Sequence, residues 1–205
     1  MTEIKPRFEF RTFAQNFGIV EEKMRRLSNC EKIRESSEIY IMSAGNNENN
    51  TKVRDDLMDI KVFVREEKGL EQWNPRMKGS FPMETTKITE EVFPAFDVQL
   101  PRFERERYTL EQFLKEIVYP HNGLTAVNVF KRRFAFTING CIAETGEVYV
   151  NGALIKTVNV ESVDVDAILE AKKMLALEEY ENINYLMAIK RVIGMEPLPG
   201  NFYLK

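Results

Sequence analysis

Charged residues two positions apart, most of them basic, recur along the chain in segments where apolar and polar residues alternate. Side chains at positions i and i+2 of a β-strand project from the same face. The charged sets with this spacing are Arg7, Glu9 and Arg11; Lys52 and Arg54; Asp59 and Lys61; Arg76 and Lys78; and Lys131 and Arg133. Because Lys and Arg donate charge-assisted hydrogen bonds to phosphate oxygens, these faces are candidates for binding several phosphates in a row.

Acidic residues follow later in the chain, at Glu144, Glu147 and Glu161. Carboxylates can hold Mg²⁺ or Mn²⁺ where the metal bridges ligand phosphates. If the charged faces line the interior of a closed barrel, burying their Lys and Arg side chains is costly without an anionic ligand. If they form the solvent-exposed face of an antiparallel sheet, the same alternation needs no ligand. The pattern alone leaves both interpretations open.

Short strands and one helix must position the first of these residues. Arg7–Arg11 alternates with period two, and a three- and four-residue apolar period from about Ala14 to Asn29 predicts an amphipathic helix. Further strands are predicted over residues 38–42, 51–55 and 58–64 and around 76–78, with a tight turn at Asp55-Asp56. Residues 82–107 contain three prolines and predict a long excursion or one poorly patterned helix.

A three-stranded meander is predicted next, over Val127–Ile138, Cys141–Val150 and Ala153–Glu161. Asn139-Gly140 and Asn151-Gly152 separate these segments, and Asn-Gly favours two-residue hairpin turns. Helices are predicted after a capping box at Thr109–Gln112, after an Asp164 or Asp166 cap, and from about Asn182 to Ile193. The fold class is therefore α+β, with a mainly antiparallel sheet in a single domain over residues 1–205.

Composition excludes several classes of protein. The chain has 205 residues, 43% of them hydrophobic, and a formal net charge of -3, which is unlike a disordered chain or a general nucleic-acid binder. Two cysteines without a CxxC pair make a disulfide framework unexpected, and no apolar run is long enough to span a bilayer. A cytoplasmic protein without a membrane partner is the expectation.

The remaining reactive residues are each expected to have structural roles. His121 lies in a turn sequence without a second His, Cys141 begins a strand, and Trp73 is expected to be a core or rim aromatic rather than a base-stacking residue. Arg132 should point away from its neighbours Lys131 and Arg133, which argues against a continuous nucleic-acid-binding patch.

The order of the charged motifs resembles the triphosphate-tunnel (CYTH) family, a closed antiparallel barrel that binds polyphosphate. Family members open with E-x-E-x-K on a strand followed by a helix, and continue with R-x-R, a lone Lys, K-x-R, an acid and a terminal E-x-E. The corresponding segments here are Arg7-Phe-Glu-Phe-Arg11, Lys52-Val-Arg54, Lys61, Lys131-Arg-Arg133, Glu144 and Asn159-Val-Glu161. The resemblance spans residues 7 to 193, although Arg7 and Asn159 stand where the family motifs have acids.

The resemblance implies a metal-dependent phosphohydrolase acting on a triphosphate-containing small molecule, or a nucleotidyl cyclase. Glu9, Glu144 and Glu161 would be the catalytic and Mg²⁺- or Mn²⁺-binding residues. The phosphate-binding residues would be Arg11, Lys52, Arg54, Lys61, Arg76, Lys78, Lys131 and Arg133.

The two replaced acids motivate an alternative, a non-catalytic module that binds a polyphosphate, a nucleotide or an RNA 5′ end. A third hypothesis is a scaffold that contacts a protein partner through residues 82–107.

Overall fold

Eight strands close into an antiparallel barrel in the computed structural model, which describes residues 6–199. The strands are β1 (Phe8–Ala14), β2 (Lys32–Met42), β3 (Asn49–Arg54), β4 (Leu57–Glu67), β5 (Leu70–Ser80), β8 (Thr125–Ile138), β9 (Cys141–Val150) and β10 (Ala153–Ser162). Their order around the barrel is β1-β10-β9-β8-β2-β3-β4-β5. Two short strands, β6 (Met83–Glu84) and β7 (Arg107–Tyr108), form a separate sheet. The predicted α+β class with a closed antiparallel barrel is confirmed.

Five helices accompany the strands. They are α1 (Ile19–Leu27), α2 (Thr85–Lys87), α3 (Leu110–Gln112), α4 (Val165–Leu175) and α5 (Tyr185–Val192). A π turn (Ile88–Val92) and a 3₁₀ turn (Phe93–Ala95) extend α2, and a π turn (Phe113–Val118) extends α3. The described residues include no helix that is long and apolar enough to cross a membrane.

Side-chain caps begin three of the helices, as the sequence predicted for two of them. Thr109 and Gln112 form the reciprocal capping box of α3. Asp164, rather than Asp166, caps α4 by accepting from the backbone N–H groups of Asp166 and Ala167. Asn184 caps α5 by accepting from Met187 N at 3.0 Å, so this helix begins after the predicted Asn182. These bonds satisfy backbone donors that have no partner inside the helix.

The chain is organised as two compact units, each with its own apolar core. The first contains residues 6–36, 63–73 and 130–199 of the described chain, and the second contains residues 37–62 and 74–129. In the first unit, Phe8 and Phe10 of β1 pack with α1 and α4. In the second, Phe93 and Phe113 belong to a core shared with β3 and β4. The single domain expected over residues 1–205 stays a prediction.

Several predicted elements have different bounds in the structure, among them β2, which begins at Lys32 rather than at residue 38. The first helix begins at Ile19 rather than near Ala14, because β1 continues through Phe13 and Ala14 to pair with β10. The strand expected around residues 76–78 is the 11-residue β5. Residues 82–107 contain β6, α2 with its two turns, and the first residue of β7, so the excursion is more regular than predicted.

Candidate functional site

Charged side chains converge on one face of β1, β8, β9 and β10 in the first unit. In the register of these strands Glu9 lies opposite Glu161, Arg11 opposite Asn159, and Asn159 opposite Glu144. Phe8 and Phe10 are buried in the apolar core, so the intervening Glu9 and Arg11 project from the other face, as the alternation predicted. We call the following residues the first polar cluster: Arg7, Glu9, Arg11, Lys131, Arg133, Glu144, Thr157, Asn159, Glu161 and Tyr185.

Three residues hold Arg11 in the first polar cluster, namely Glu9, Thr157 and Tyr185. Its Nε donates to Glu9 Oε1, and its NH1 donates to Thr157 Oγ1 at 3.2 Å. Its guanidinium carbon lies 4.6 Å from the centroid of the Tyr185 ring. Burial disfavours the charged form of Arg11, but the nearby Glu9, Tyr185 and Glu144 outweigh this effect and raise its pKa. Arg11 is therefore a permanent, oriented cation.

Lys131 reaches the same aromatic ring from β8. Its Nζ lies 3.8 Å from the Tyr185 centroid, and only 3% of the residue is exposed. Phe13 packs edge-on against Tyr185, with ring centroids 5.1 Å apart. The ring of Tyr185 thus sits against two buried cations, an arrangement stabilised by the negative face of the aromatic system.

Arg133, two residues further along β8, has a guanidinium group that is only partly engaged in hydrogen bonds and ion pairs. Its NH1 lies 3.9 Å from Glu144 Oε2, a long ion pair. Its Nε is buried and donates no hydrogen bond to any described residue. Asn159 Oδ1, on β10, is likewise buried without a hydrogen-bond partner among the described residues. Buried polar atoms without partners are costly, so both atoms are candidates to contact a ligand.

The three predicted metal-binding glutamates lie in this cluster, but each one faces an arginine. Glu9 pairs with Arg11, Glu144 with Arg133, and Glu161 with Arg7 at 3.7 Å. Within residues 6–199, no three Asp, Glu, His or Cys side chains are grouped so that they could hold a metal ion. A divalent-metal site needs carboxylates that converge on one point, and these do not. The residues present therefore do not fit the Mg²⁺ or Mn²⁺ centre that the resemblance implied.

A second set of charged residues lies within the second unit. Lys52 Nζ lies 3.5 Å from Glu38 Oε2 and Arg54 NH1 lies 3.7 Å from Glu38 Oε1. Asp59 is directly opposite Lys52 on β4, while Lys61 is exposed. Burial lowers the pKa of Lys52, with Glu38 and Asp59 opposing the change. The cations of β3 are thus already matched to a buried carboxylate.

Arg76 and Lys78 were predicted to join the phosphate-binding set. Both are exposed on β5, where Arg76 NH1 donates to Asn49 Oδ1 at 2.9 Å. Their assignment as phosphate-binding residues stays a prediction.

Sequence reasoning missed Tyr185, Glu38 and Glu71. Tyr185 is the first residue of a helix, and Glu38 lies within a predicted strand, so no motif marked either one. Glu71 accepts from Trp73 Nε1 at 2.8 Å and from Asn184 Nδ2 at 3.1 Å. Glu71 therefore ties the start of α5, and with it Tyr185, to β5.

The other candidates have structural roles. Cys141 is buried in the apolar core of the first unit, as expected. His121 holds its turn, where Nδ1 accepts from Gly123 N at 3.0 Å and Nε2 lies 2.8 Å from Gln99 O. Arg132 lies 3.4 Å from Glu35, whereas Lys131 and Arg133 contact the polar cluster, which confirms their opposite directions.

Comparisons with known proteins support the fold. No family model and no curated protein matches the chain. A conserved hypothetical protein from Pyrococcus furiosus superposes with a TM-score of 0.53 at 16% identity, covering 88% of this chain and 98% of that one. A candidate adenylate cyclase from Bacillus halodurans gives 0.52 at 10% identity, covering 88% and 95%.

A third solved structure adds an activity of its own. A candidate adenylyl cyclase from Hippeastrum, for which a dominant triphosphatase activity is stated, superposes with a TM-score of 0.50 at 10% identity, covering 94% of this chain and 98% of that one. Together with the closed barrel, these similarities show a CYTH-like, triphosphate-tunnel-like fold.

Proposed function

We propose that this protein binds a triphosphate-containing small molecule through the cations of the first polar cluster, without a divalent metal. One observation carries the proposal: Arg11 and Lys131, 8% and 3% exposed, both lie against a single Tyr185 ring. Both side chains are cationic and buried, so an anion placed beside them would be attracted by both charges in a place where solvent screens them little.

Arg133 supplies the remaining donor. Its buried Nε has no hydrogen-bond partner among residues 6–199, and it lies two positions from Lys131 on the same face of β8. A phosphate oxygen bound there would accept a hydrogen bond from this donor and would compete with Glu144 for the guanidinium of Arg133. Arg11 keeps its bond to Glu9 and contributes charge rather than a free donor.

The carboxylates support binding rather than metal chemistry. Because Glu9, Glu144 and Glu161 each face an arginine, they lack the excess negative charge that attracts a divalent cation. Their assignment as catalytic residues stays a prediction, and the proposal routes no reaction step through a metal.

Calorimetric titration with tripolyphosphate tests the proposal. We expect Lys131→Met to weaken binding at least tenfold, because the substitution removes a buried charge of the cluster while keeping an apolar side chain. Arg133→Met should weaken binding by a similar factor, since it removes the only guanidinium of the cluster with an unused buried donor.

Arg132→Met is the matched control. Arg132 is the neighbour of both residues on β8 but points to the other face, where it lies near Glu35. The control should bind tripolyphosphate as the parent does. Equal affinity in all four proteins would refute the assignment of the site.

A second candidate function is hydrolysis of a triphosphate. The observation that favours it is the fold shared with the Hippeastrum protein, which has a stated triphosphatase activity. Phosphate release from nucleoside triphosphates and tripolyphosphate, with Mg²⁺ or Mn²⁺ present, distinguishes the two functions. Phosphate release that is abolished by Glu161→Ala and by Lys131→Ala would establish hydrolysis, and a nucleotidyl cyclase would instead release pyrophosphate.

Binding without turnover would support the non-catalytic binding module, for which an RNA 5′ triphosphate is a further ligand to test.

A further inference from the structure

Two partly buried aromatic rings lie near the first polar cluster in the first unit. Trp73 of β5 and Phe63 of β4 pack edge to face, with ring centroids 5.5 Å apart and an angle of 67° between the ring planes. Trp73 Nε1 donates to Glu71 Oε2 at 2.8 Å, which fixes the orientation of the indole. The pair is therefore an oriented aromatic surface that is still partly open to solvent.

The register of β1 and β5 brings the indole to the face that carries the cluster. Glu71 is directly opposite Glu9 on β1, and directly opposite residues project from the same face of a sheet. Trp73 lies two residues beyond Glu71, so its side chain projects from that face as well, about 7 Å further along the strand. Glu71 also accepts from Asn184 Nδ2 at 3.1 Å, and Asn184 precedes Tyr185. Hydrogen bonds through Glu71 therefore connect the indole to the helix that carries Tyr185.

We propose that Trp73 and Phe63 form a base subsite, where the base of a nucleoside triphosphate stacks while its phosphates lie at Arg11, Lys131 and Arg133. This inference rests on the proposed function, and it narrows the ligand from any triphosphate to a nucleotide. Stacking on aromatic side chains is available to every base, because each base has a π face. The subsite should therefore favour nucleotides over inorganic tripolyphosphate and discriminate little between adenine and guanine.

Trp73 is the only tryptophan of the chain, so its fluorescence reports directly on the base subsite. In EDTA, with excitation at the red edge of the indole absorption, we expect ATP and GTP to quench this fluorescence in a saturable way. Tripolyphosphate should bind without comparable quenching, since it has no base. Calorimetry should show that ATP binds about tenfold more tightly than tripolyphosphate, which corresponds to about 1.4 kcal/mol. Equal affinities without quenching by ATP would overturn the base subsite.

The ratio of the ATP affinity to the tripolyphosphate affinity separates base binding from phosphate binding. Trp73→Leu should bring this ratio close to one, whereas Lys131→Met should weaken both ligands and leave the ratio near that of the parent. Trp73→Phe keeps an aromatic ring and should retain part of the preference for ATP. Because both Trp73 variants lose the hydrogen bond to Glu71, Phe63→Leu is the second test: it alters the aromatic pair, keeps that bond and should lower the ratio severalfold.

Phe130→Leu is the matched control. Phe130 also belongs to an aromatic pair, with its ring centroid 6.0 Å from that of Tyr149. It lies two residues before Arg132 on β8, so its side chain points away from the first polar cluster. This variant should bind both ligands as the parent does.

The outcomes for the base subsite and for the phosphate site are distinguishable. If Lys131→Met weakens tripolyphosphate binding but Trp73→Leu and Phe63→Leu keep the affinity ratio of the parent, the base subsite is refuted and the proposed phosphate site stands. If Lys131→Met binds both ligands as the parent does, the phosphate site is refuted, and this inference with it.

Discussion

Two buried cations share one aromatic ring in this protein. The guanidinium carbon of Arg11 and the Nζ atom of Lys131 lie 4.6 and 3.8 Å from the centroid of the Tyr185 ring. The ring does not neutralise them, so the charge of Arg11 is balanced by Glu9 and the pKa of Arg11 is raised despite its burial. Arg11 therefore keeps its positive charge in its buried position.

The carboxyl group of Glu71 leads to a prediction about how the stability of the protein changes with pH. Burial raises the pKa of this carboxyl, while hydrogen bonds from Trp73 and Asn184 oppose the change. A raised folded-state pKa means that the folded protein binds more protons than the unfolded chain above pH 4.5, so stability falls as the pH rises through the raised value. We expect Glu71→Gln, which cannot ionise, to lose less stability than the parent between pH 4 and pH 7.

Urea unfolding of the parent and the Glu71→Gln variant at both pH values measures this difference. Glu22→Gln, an exposed carboxylate on α1, serves as the control and should follow the parent. If the Glu71→Gln variant lost as much stability as the parent, ionisation of Glu71 would not be the cause.

At the scale of elements, α5 positions the aromatic ring of the site. Asn184 caps this helix through Met187 N and also donates to Glu71 on β5. Because Tyr185 is the next residue, the cap and the tether fix the ring against Arg11 and Lys131. The helix therefore acts on the site through one side chain at its first position.

We expect Asn184→Ala to lower stability by about 1–2 kcal/mol, from the lost cap and the lost bond to Glu71. It should also weaken tripolyphosphate binding severalfold, because Tyr185 is no longer fixed. Thermal unfolding and calorimetry measure the two effects separately.

Asp164→Ala is the matched control for this prediction. It removes the cap of α4, which has no residue in the first polar cluster, so it should cost about 1 kcal/mol of stability and leave the affinity unchanged. Loss of affinity in both variants would mean that general destabilisation, rather than Tyr185, controls binding.

The elements that local sequence determines were the ones predicted well. Asn139-Gly140 and Asn151-Gly152 take the positive φ values that a two-residue hairpin needs, so β8, β9 and β10 agree with the predicted meander to within two residues at each end. The resulting register places Glu144 directly opposite Asn159.

Elements that depend on distant partners were not predicted well. β5 contains Asn74 and Pro75, which resemble a turn locally, and its start is held by the pairing of Glu71 and Gln72 with β1. Tyr185 meets Arg11 only because the end of the chain folds back, and nothing in the local sequence indicates that contact. The ion pairs of Glu144 with Arg133 and of Glu161 with Arg7 likewise join different strands, whereas Glu9 and Arg11 pair within β1.

At the scale of the whole molecule, the barrel is shared with proteins at 10–16% identity, and a shared fold does not establish a shared reaction. The difference between binding and hydrolysis must therefore come from the side chains of this chain. Arg7 and Asn159 stand at two positions where the motifs of the resembled family have acids, and Arg7 NH1 lies 3.7 Å from Glu161 Oε2.

The metal dependence of tripolyphosphate binding tests the proposed function for the molecule as a whole. We expect tripolyphosphate to bind equally well in buffer with EDTA and in buffer without EDTA or added metal. Binding should be weaker when Mg²⁺ is added, because Mg²⁺ neutralises part of the charge of the ligand before the ligand reaches Lys131 and Arg133. Glu161→Gln should bind as well as the parent in EDTA, since Glu161 would hold no metal. If binding instead required Mg²⁺ and the Glu161→Gln variant lost it, the glutamates would converge on a metal once the ligand is bound. That result would contradict metal-free binding, and phosphate release with Mg²⁺ or Mn²⁺ would then decide between binding and hydrolysis.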